Sequence, residues 1–423
     1  MSDLQAKLIF QQLTQAFAAS PDFSRREVER RQAALLERLV RHAHVNVPFY
    51  RDGGRLKPLF RGDGAFDMAG WADVPILTRN EAKSNEDALH ARVVPPEMGE
   101  LAAISTSGST GTPLRFRQTR VQAVASEVLI NRALRWHELW PMQTYAVSKY
   151  IVPTGGTAPG ILVVPAGIDF TEQVELLRRH RATHALAPAS VAAGWADAAG
   201  DDGLPDLKAV LATGSILTTD KRARIERGLG VKVVNIYSTS ELGPVAAEGP
   251  EGRLRVSEEI VWLEGPKNAS QAHTPIPAVV TPLYAYATPL IRYAPGDHLR
   301  FSAGTAKHAP GLRRLDDVVG RSRNLLRLPD GRPFVAVRLH GNTLAAVLDH
   351  REWQLVQTSL AEMTFKIVTP RPPTQQEREA LQAYLDDALP QHRTTMAFVD
   401  AIANPIANGK PYEQFVSLID PTA

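Results

Sequence analysis

The stretch STSGSTGTPLRF, Ser105 to Phe116, sets six hydroxyl side chains and two glycines around a short loop that ends at Pro113. Glycine lets a backbone approach a ligand closely and turn successive N–H groups inward, and hydroxyls add neutral donors. A helix further on can add its positive end. That combination suits phosphate. The loop is not a Walker A sequence, because Gly108 is followed by Ser-Thr-Gly-Thr-Pro rather than by residues leading to Gly-Lys-Ser/Thr. Taken alone it also reads as an ordinary turn, a linker or a glycosylated stalk. Its place inside a region of alternating strands and helices argues against a linker.

Four more segments follow it in chain order: NIYSTSEL (Asn235 to Leu242), IRYAPGD (Ile291 to Asp297), GRSRN (Gly320 to Asn324) and NPIANGK (Asn404 to Lys410). Together with the opening loop they resemble the phosphate loop, the tyrosine–glycine–x–threonine–glutamate segment, the ribose segment, the inter-domain hinge and the C-terminal lysine loop of the adenylate-forming superfamily. That superfamily includes acyl-CoA synthetases, peptide-synthetase adenylation domains and firefly luciferase. HAHVNVPFYRD (residues 42–52) and DVPILTRNEAK (residues 73–83) resemble the N-terminal region of its phenylacetate–CoA ligase branch.

The resemblance implies a role for each matched residue. Thr106, Ser107, Gly108, Ser109, Thr110 and Gly111 would hold the β- and γ-phosphates of ATP. Lys410 would be the catalytic cation between the α-phosphate and the incoming carboxylate. Glu241 would be catalytic through Mg²⁺, a hard cation that takes oxygen ligands and keeps several waters. Tyr237 would lie near adenine, with Ser238 and Thr239 beside it. Gly214 and Ser215, after Thr213, would line the base more loosely. Asp297 would accept from both ribose hydroxyls, and Arg321 would contact ribose or phosphate. Arg323 and Asn324 would be the hinge. Each has a plainer alternative: a surface lysine, an exposed glutamate starting a helix, a core tyrosine, a linker arginine.

Three departures stand out. Ser238 occupies the family's glycine position. Asn324 replaces the usual hinge carboxylate, although asparagine tolerates unusual backbone angles. LPDGRPF, after the hinge, reads as a hairpin turn where CoA-using relatives carry a more glycine-rich loop.

These residues need elements to position them. Apolar spacing predicts helices over Ser24–His44, Val121–Leu139, Thr171–His180 and Thr219–Gly228. Short strands are predicted at Leu101–Ile104, Leu114–Gln118, Ala146–Val152, Ile161–Val164, Thr183–Ala187, Ala209–Thr213 and Lys232–Ile236. Alternation of this kind argues for a parallel α/β sheet, with ligands at the carboxyl ends of its strands. Residues 51–100 read as irregular with a short helix after Thr78, and 276–301 as β-rich. After Gly320 come the hairpin, a helix around Arg338–Leu348, two strands, a helix at Thr374–Ala388 and a strand near Met396–Val399. The fold class is therefore α/β: a large multi-sheet N-terminal adenylate-forming domain, residues 1–322, carrying the nucleotide and acid sites. A small α+β C-terminal domain, residues 323–423, would be mobile and carry the lysine.

Bulk composition excludes several other classes. The net charge is only +3 over 423 residues, so no nucleic-acid partner is expected. Arg25–Arg31 is interleaved with Glu27 and Glu29 and reads as a solvated helix face. There is no cysteine, which rules out disulfides, thiol nucleophiles and thiolate metal sites. His180 and His184 have a helical ligand spacing, but Thr183 begins a strand, and no G-x-S-x-G elbow occurs. Neither a charged leader with an apolar core nor an apolar run of about 18 residues is present, so no membrane association and a cytoplasmic location are expected.

The resemblance implies an ATP-dependent ligase that activates a small aryl or arylacetic acid as acyl-AMP and transfers it to CoA. PTGGTAPG, residues 153–160, would line the acyl pocket. The alternatives are an amine or carrier-protein acceptor, nitrite in place of the acid for diazotisation of an aryl amine, and a catalytically silent nucleotide-binding protein. The branch suggests a homodimer.

Overall fold

The computed structural model describes residues 3–18, 23–105, 114–140, 143–149, 160–165, 168–266, 275–302, 311–321, 326–331, 333–334, 339, 344, 347–402 and 415–419. They fall into two compact units, Met1–Trp140 with Ile236–Val318, and Pro141–Asn235 with Val319–Ala423.

In the first unit the helix Arg25–Asn46 starts at Ser24, whose side chain accepts from Glu27 N while Glu27 returns a bond to the Ser24 backbone. This reciprocal cap satisfies two donors that a helix start otherwise leaves open. Leu36, Val40 and Ala43 recur every three or four residues and enter a core shared with Tyr50, Leu77, Leu242, Tyr293 and Leu299. The solvated basic face holds for Arg26, Arg30 and Arg31, which are exposed. It does not hold for Arg25, which pairs at 2.6 Å with Glu258, a carboxylate with 0% exposure. A buried carboxylate needs such a partner, and local charge alternation cannot reveal one 233 residues away.

Two sheets carry the site segments of this unit. In one, Leu77–Thr78, Tyr293–Ala294, Val280–Pro282 and Val261–Leu263 are neighbours in that order. In the other, Ile276–Pro277, Asp297–Phe301, Arg314–Arg321, Leu254–Val256, Gly243–Glu248 and Lys232–Thr239 follow one another. The region expected to be irregular, 51–100, holds only short helical turns besides Leu77–Thr78.

In the second unit Ile161–Pro165, Tyr145–Lys149, His184–Pro188, Ala209–Thr213 and the start of Lys232–Thr239 pair in parallel. Helices Phe170–Arg179, Ala189–Ala198 and Thr219–Leu229 connect these strands, as the alternation predicts. The boundaries lie within a few residues of those expected. Trp195, Val174, Val210 and Ile225 fill the core between them.

The later part of this unit has the sheet order Arg393–Phe398, Glu362–Val368, Glu352–Gln357, Phe415–Ser417, with the helix Gln375–Ala388 capped by Thr374. Leu381 and Leu385 of that helix pack with Trp353, Phe365 and Ile367. LPDGRPF forms the expected hairpin, with Leu326 opposite Phe334 and Gly331 at φ 83°. The expected helix at 338–348 lies largely outside the described residues. Among the described residues, no helix is long and apolar enough to cross a membrane.

Candidate active site

The first unit joins the two best-matched segments by a reciprocal exchange of tyrosines and carboxylates. The Tyr237 hydroxyl donates to Asp297 Oδ2 at 2.9 Å. The Tyr293 hydroxyl donates to Glu241 Oε1 at 3.0 Å. Each segment therefore supplies the phenol that holds the other segment's carboxylate. Both carboxylates are buried, Glu241 at 3% and Asp297 at 8% exposure.

Local structure explains how they come together. Lys232–Thr239 and Gly243–Glu248 form a hairpin in which Thr239 faces Gly243, leaving Ser240, Glu241 and Leu242 as the loop. Thr239 Oγ1 accepts from Leu242 N at 3.2 Å and tightens the turn. Gly243 takes φ 74°, and a Cβ there would come within 2.9 Å of Ser126 Oγ, so no other residue fits without strain. The register shifts between Tyr237 and Ser238, a bulge that re-aims side chains at a strand end. Glu241 is thus a hairpin-loop residue drawn inward, not the exposed glutamate of a helix start.

The inward pull comes from Arg79. Its Nη1 donates to Glu241 Oε1 at 2.9 Å and to the Tyr293 hydroxyl at 3.4 Å. The parallel bridge sets Leu77 opposite Tyr293 and Thr78 opposite Ala294, which brings Arg79 and Tyr293 to the same carboxylate. Thr78 Oγ1 accepts from Glu81 N and starts the helix Arg79–Ser84. Burial lowers the Arg79 pKa, but the Glu241 carboxylate and Tyr293 outweigh it, so the guanidinium stays protonated. Burial, then the Glu241 charge, pushes the Tyr293 phenol well above its ordinary value, so it remains a donor.

The backbone of Pro289 to Asp297 is itself pinned. Tyr50 donates to Pro289 O at 3.1 Å and accepts from Ile291 N at 2.9 Å. Arg292 adopts φ 52°, an uncommon conformation for a residue with a side chain. Its guanidinium grips both oxygens of Glu264, at 2.7 and 2.8 Å, and the carbonyls of Trp71, Ala72 and Val74. The 42–52 and 73–83 segments thus buttress the Ile291–Asp297 segment.

In the second unit Gly214 takes φ 68° after the strand Ala209–Thr213. Ser215 Oγ accepts from Ala189 N at 3.0 Å, at the start of the helix Ala189–Ala198. Both sit at the carboxyl end of parallel strands, where α/β sheets bind ligands. Arg321 ends the strand Arg314–Arg321. Thr106 to Gly111, residues 153–159, Arg323, Asn324 and Lys410 lie outside the described residues.

Sequence reasoning gave Tyr237, Glu241 and Asp297 but assigned nothing to Arg79, Tyr50, Arg292 or Tyr293. The only signal for them was membership of quoted segments, since their partners lie 28 to 241 residues away. Among the described residues no group of three His, Asp or Glu side chains could hold a metal ion. The donor set still fits Mg²⁺ if Glu241 shares it with nucleotide phosphates and water, the mode in which this ion is most often held.

No protein-family model and no curated protein matches the sequence. Solved structures do match the fold. A 2-hydroxyisobutyryl-CoA ligase in the postadenylation state, in complex with R3-HIB-AMP, is 17% identical with a TM-score of 0.69, covering 93% of this chain and 90% of that one. An anthranilate CoA ligase in complex with anthranoyl-AMP is 13% identical with a TM-score of 0.52, covering 72% and 64%. ATP-bound MatB from Rhodopseudomonas palustris is 12% identical with a TM-score of 0.51, covering 75% and 66%. The fold is that of the adenylate-forming ligases.

Proposed function

We propose that this protein is an ATP-dependent acid ligase that forms an acyl-AMP, releases pyrophosphate and transfers the acyl group to CoA. The observation that carries it is the reciprocal pair, Tyr237 on Asp297 and Tyr293 on Glu241, within a fold whose solved relatives bear acyl-adenylates. Asp297 accepts from Tyr237, and a carboxylate, with two acceptor oxygens, is the group suited to a ribose diol. Glu241 is the oxygen ligand offered to Mg²⁺ on the phosphates, which would offset charge on the departing pyrophosphate. Catalysis of this kind is chiefly positioning and electrostatic stabilisation.

Thr106 to Gly111 would cradle phosphates, and Gly214 and Ser215 would lie near the base. Arg321 would reach the ribose, and Lys410 would join the α-phosphate to the attacking carboxylate. On this reading the chain divides after residue 322, and Arg323–Asn324 is the pivot that exchanges the half-reactions. The acid is taken to be small, aryl or arylacetic from the branch resemblance. The relatives' 2-hydroxyisobutyryl and anthranoyl groups widen the set to be tried.

The test is ATP–pyrophosphate exchange with Mg²⁺ across aryl, arylacetic, aliphatic and 2-hydroxy acids, with nitrite as a separate arm. Exchange with one acid followed by thioester formation on adding CoA is the expected result. Exchange without a CoA product moves the acceptor to an amine or a carrier protein. Exchange with nitrite alone moves the protein to diazotisation. ATP binding without any exchange favours the silent binder, and no ATP binding overturns the reading.

A further inference from the structure

A carboxylate that holds a metal is itself held by hydrogen bonds. On Glu241 one of these donors is a guanidinium, 2.9 Å from the same oxygen that Tyr293 binds. Like charges this close oppose each other, so a cation on Glu241 must contend with Arg79. The two donors are set side by side by the parallel pairing of Leu77 with Tyr293 and of Thr78, the residue before Arg79, with Ala294. Glu241 and Arg79 are both largely buried, at 3% and 16% side-chain exposure, so solvent does little to screen the contest.

We propose that Arg79 and Tyr293 are positioning residues that act through Glu241, the guanidinium lowering the site's affinity for a divalent cation and the phenol fixing the carboxylate's orientation. Glu241 then binds such a cation only when nucleotide phosphates share it. This inference rests on the adenylation reading above.

The experiment is a Mn²⁺ titration followed by electron paramagnetic resonance. It uses the full-length protein without nucleotide and then saturated with an ATP analogue bearing a methylene between the α- and β-phosphates. Wild type is expected to bind Mn²⁺ tightly only with the analogue. Arg79→Gln keeps a hydrogen-bond donor but removes the charge, and should tighten Mn²⁺ binding about tenfold, the scale on which one neighbouring charge shifts a carboxylate's affinity for a cation. The Mg²⁺ concentration giving half-maximal pyrophosphate exchange should fall by a similar factor. Arg79→Lys should retain wild-type affinity. Tyr293→Phe should weaken Mn²⁺ binding severalfold with little change in melting temperature. Glu241→Gln should remove the protein's contribution.

A merely structural role for Arg79 predicts a lower melting temperature with unchanged metal affinity, and that outcome overturns the proposal while leaving the adenylation reading standing. Mn²⁺ binding unaffected by Glu241→Gln also overturns it. If Arg79→Gln does not fold, Arg79→Lys and Tyr293→Phe carry the test, and unchanged Mn²⁺ affinity in Tyr293→Phe counts against it. Failure of wild type to bind the analogue sinks both readings together.

Discussion

At the scale of single residues, the site depends on buried charges that cancel in pairs. Glu241 and Arg79 are such a pair, and removing one partner leaves an uncompensated charge. Arg79→Ala should therefore lower unfolding free energy by about 3–5 kcal/mol. Glu241→Gln in the same chain should restore a good part of that loss, because the stranded charge goes with it. Urea denaturation of the two single variants and the double variant checks this. Additive losses would show that the pair is uncoupled. Arg292 poses a different case, since its planar fork serves Glu264 and three carbonyls at once. Arg292→Lys keeps the charge but not the fork, and should cost about 2–3 kcal/mol, read by the same method. The sequence singled out Glu241 and Asp297, because their segments are short and ordered. It concealed the donors Arg79 and Arg292, because an arginine's partner is fixed by tertiary packing and leaves no local pattern.

At the scale of elements, legibility followed the kind of force involved. Helices driven by an amphipathic stripe and a side-chain cap, such as Arg25–Asn46 and Gln375–Ala388, were readable within two residues at either end. The two-residue strand Leu77–Thr78 was not, since it exists only through its bridge to Tyr293–Ala294. The helix Arg25–Asn46 also docks by a titratable contact. His42 Nε2 lies 2.8 Å from Tyr286 O, a few residues before the pinned Pro289–Asp297 backbone. Burial lowers the His42 pKa from 6.5, and the bond to the Tyr286 carbonyl only partly counters this. The fold thus prefers neutral imidazole. The stabilisation is complete above the unfolded value of 6.5 and is lost as pH falls through the lower folded value. Melting temperature should consequently drop as the solution is taken below pH 6.5, and His42→Gln should flatten that part of the profile. An unchanged slope in the variant would assign the acid sensitivity elsewhere.

At the scale of the whole molecule, the question is whether one lysine near the C-terminus serves only one of two half-reactions. The catalytic assignment of Lys410 rests on the NPIANGK resemblance, so its test must separate chemistry from folding. If Lys410 bridges the α-phosphate and the attacking carboxylate, its charge matters while the acyl-phosphate bond forms and pyrophosphate leaves. It has no comparable task when a thiol displaces AMP. Lys410→Ala should therefore slow ATP–pyrophosphate exchange by at least about a hundredfold, as loss of a fixed electrostatic contact does elsewhere. The same variant, given chemically prepared acyl-AMP and CoA, should form thioester at close to the wild-type rate with an unaltered melting curve. Loss of both half-reactions would indicate a general defect of the fold or of domain movement. Retained exchange would remove Lys410 from the adenylation step and, with it, the reason for linking the C-terminal segment to the nucleotide.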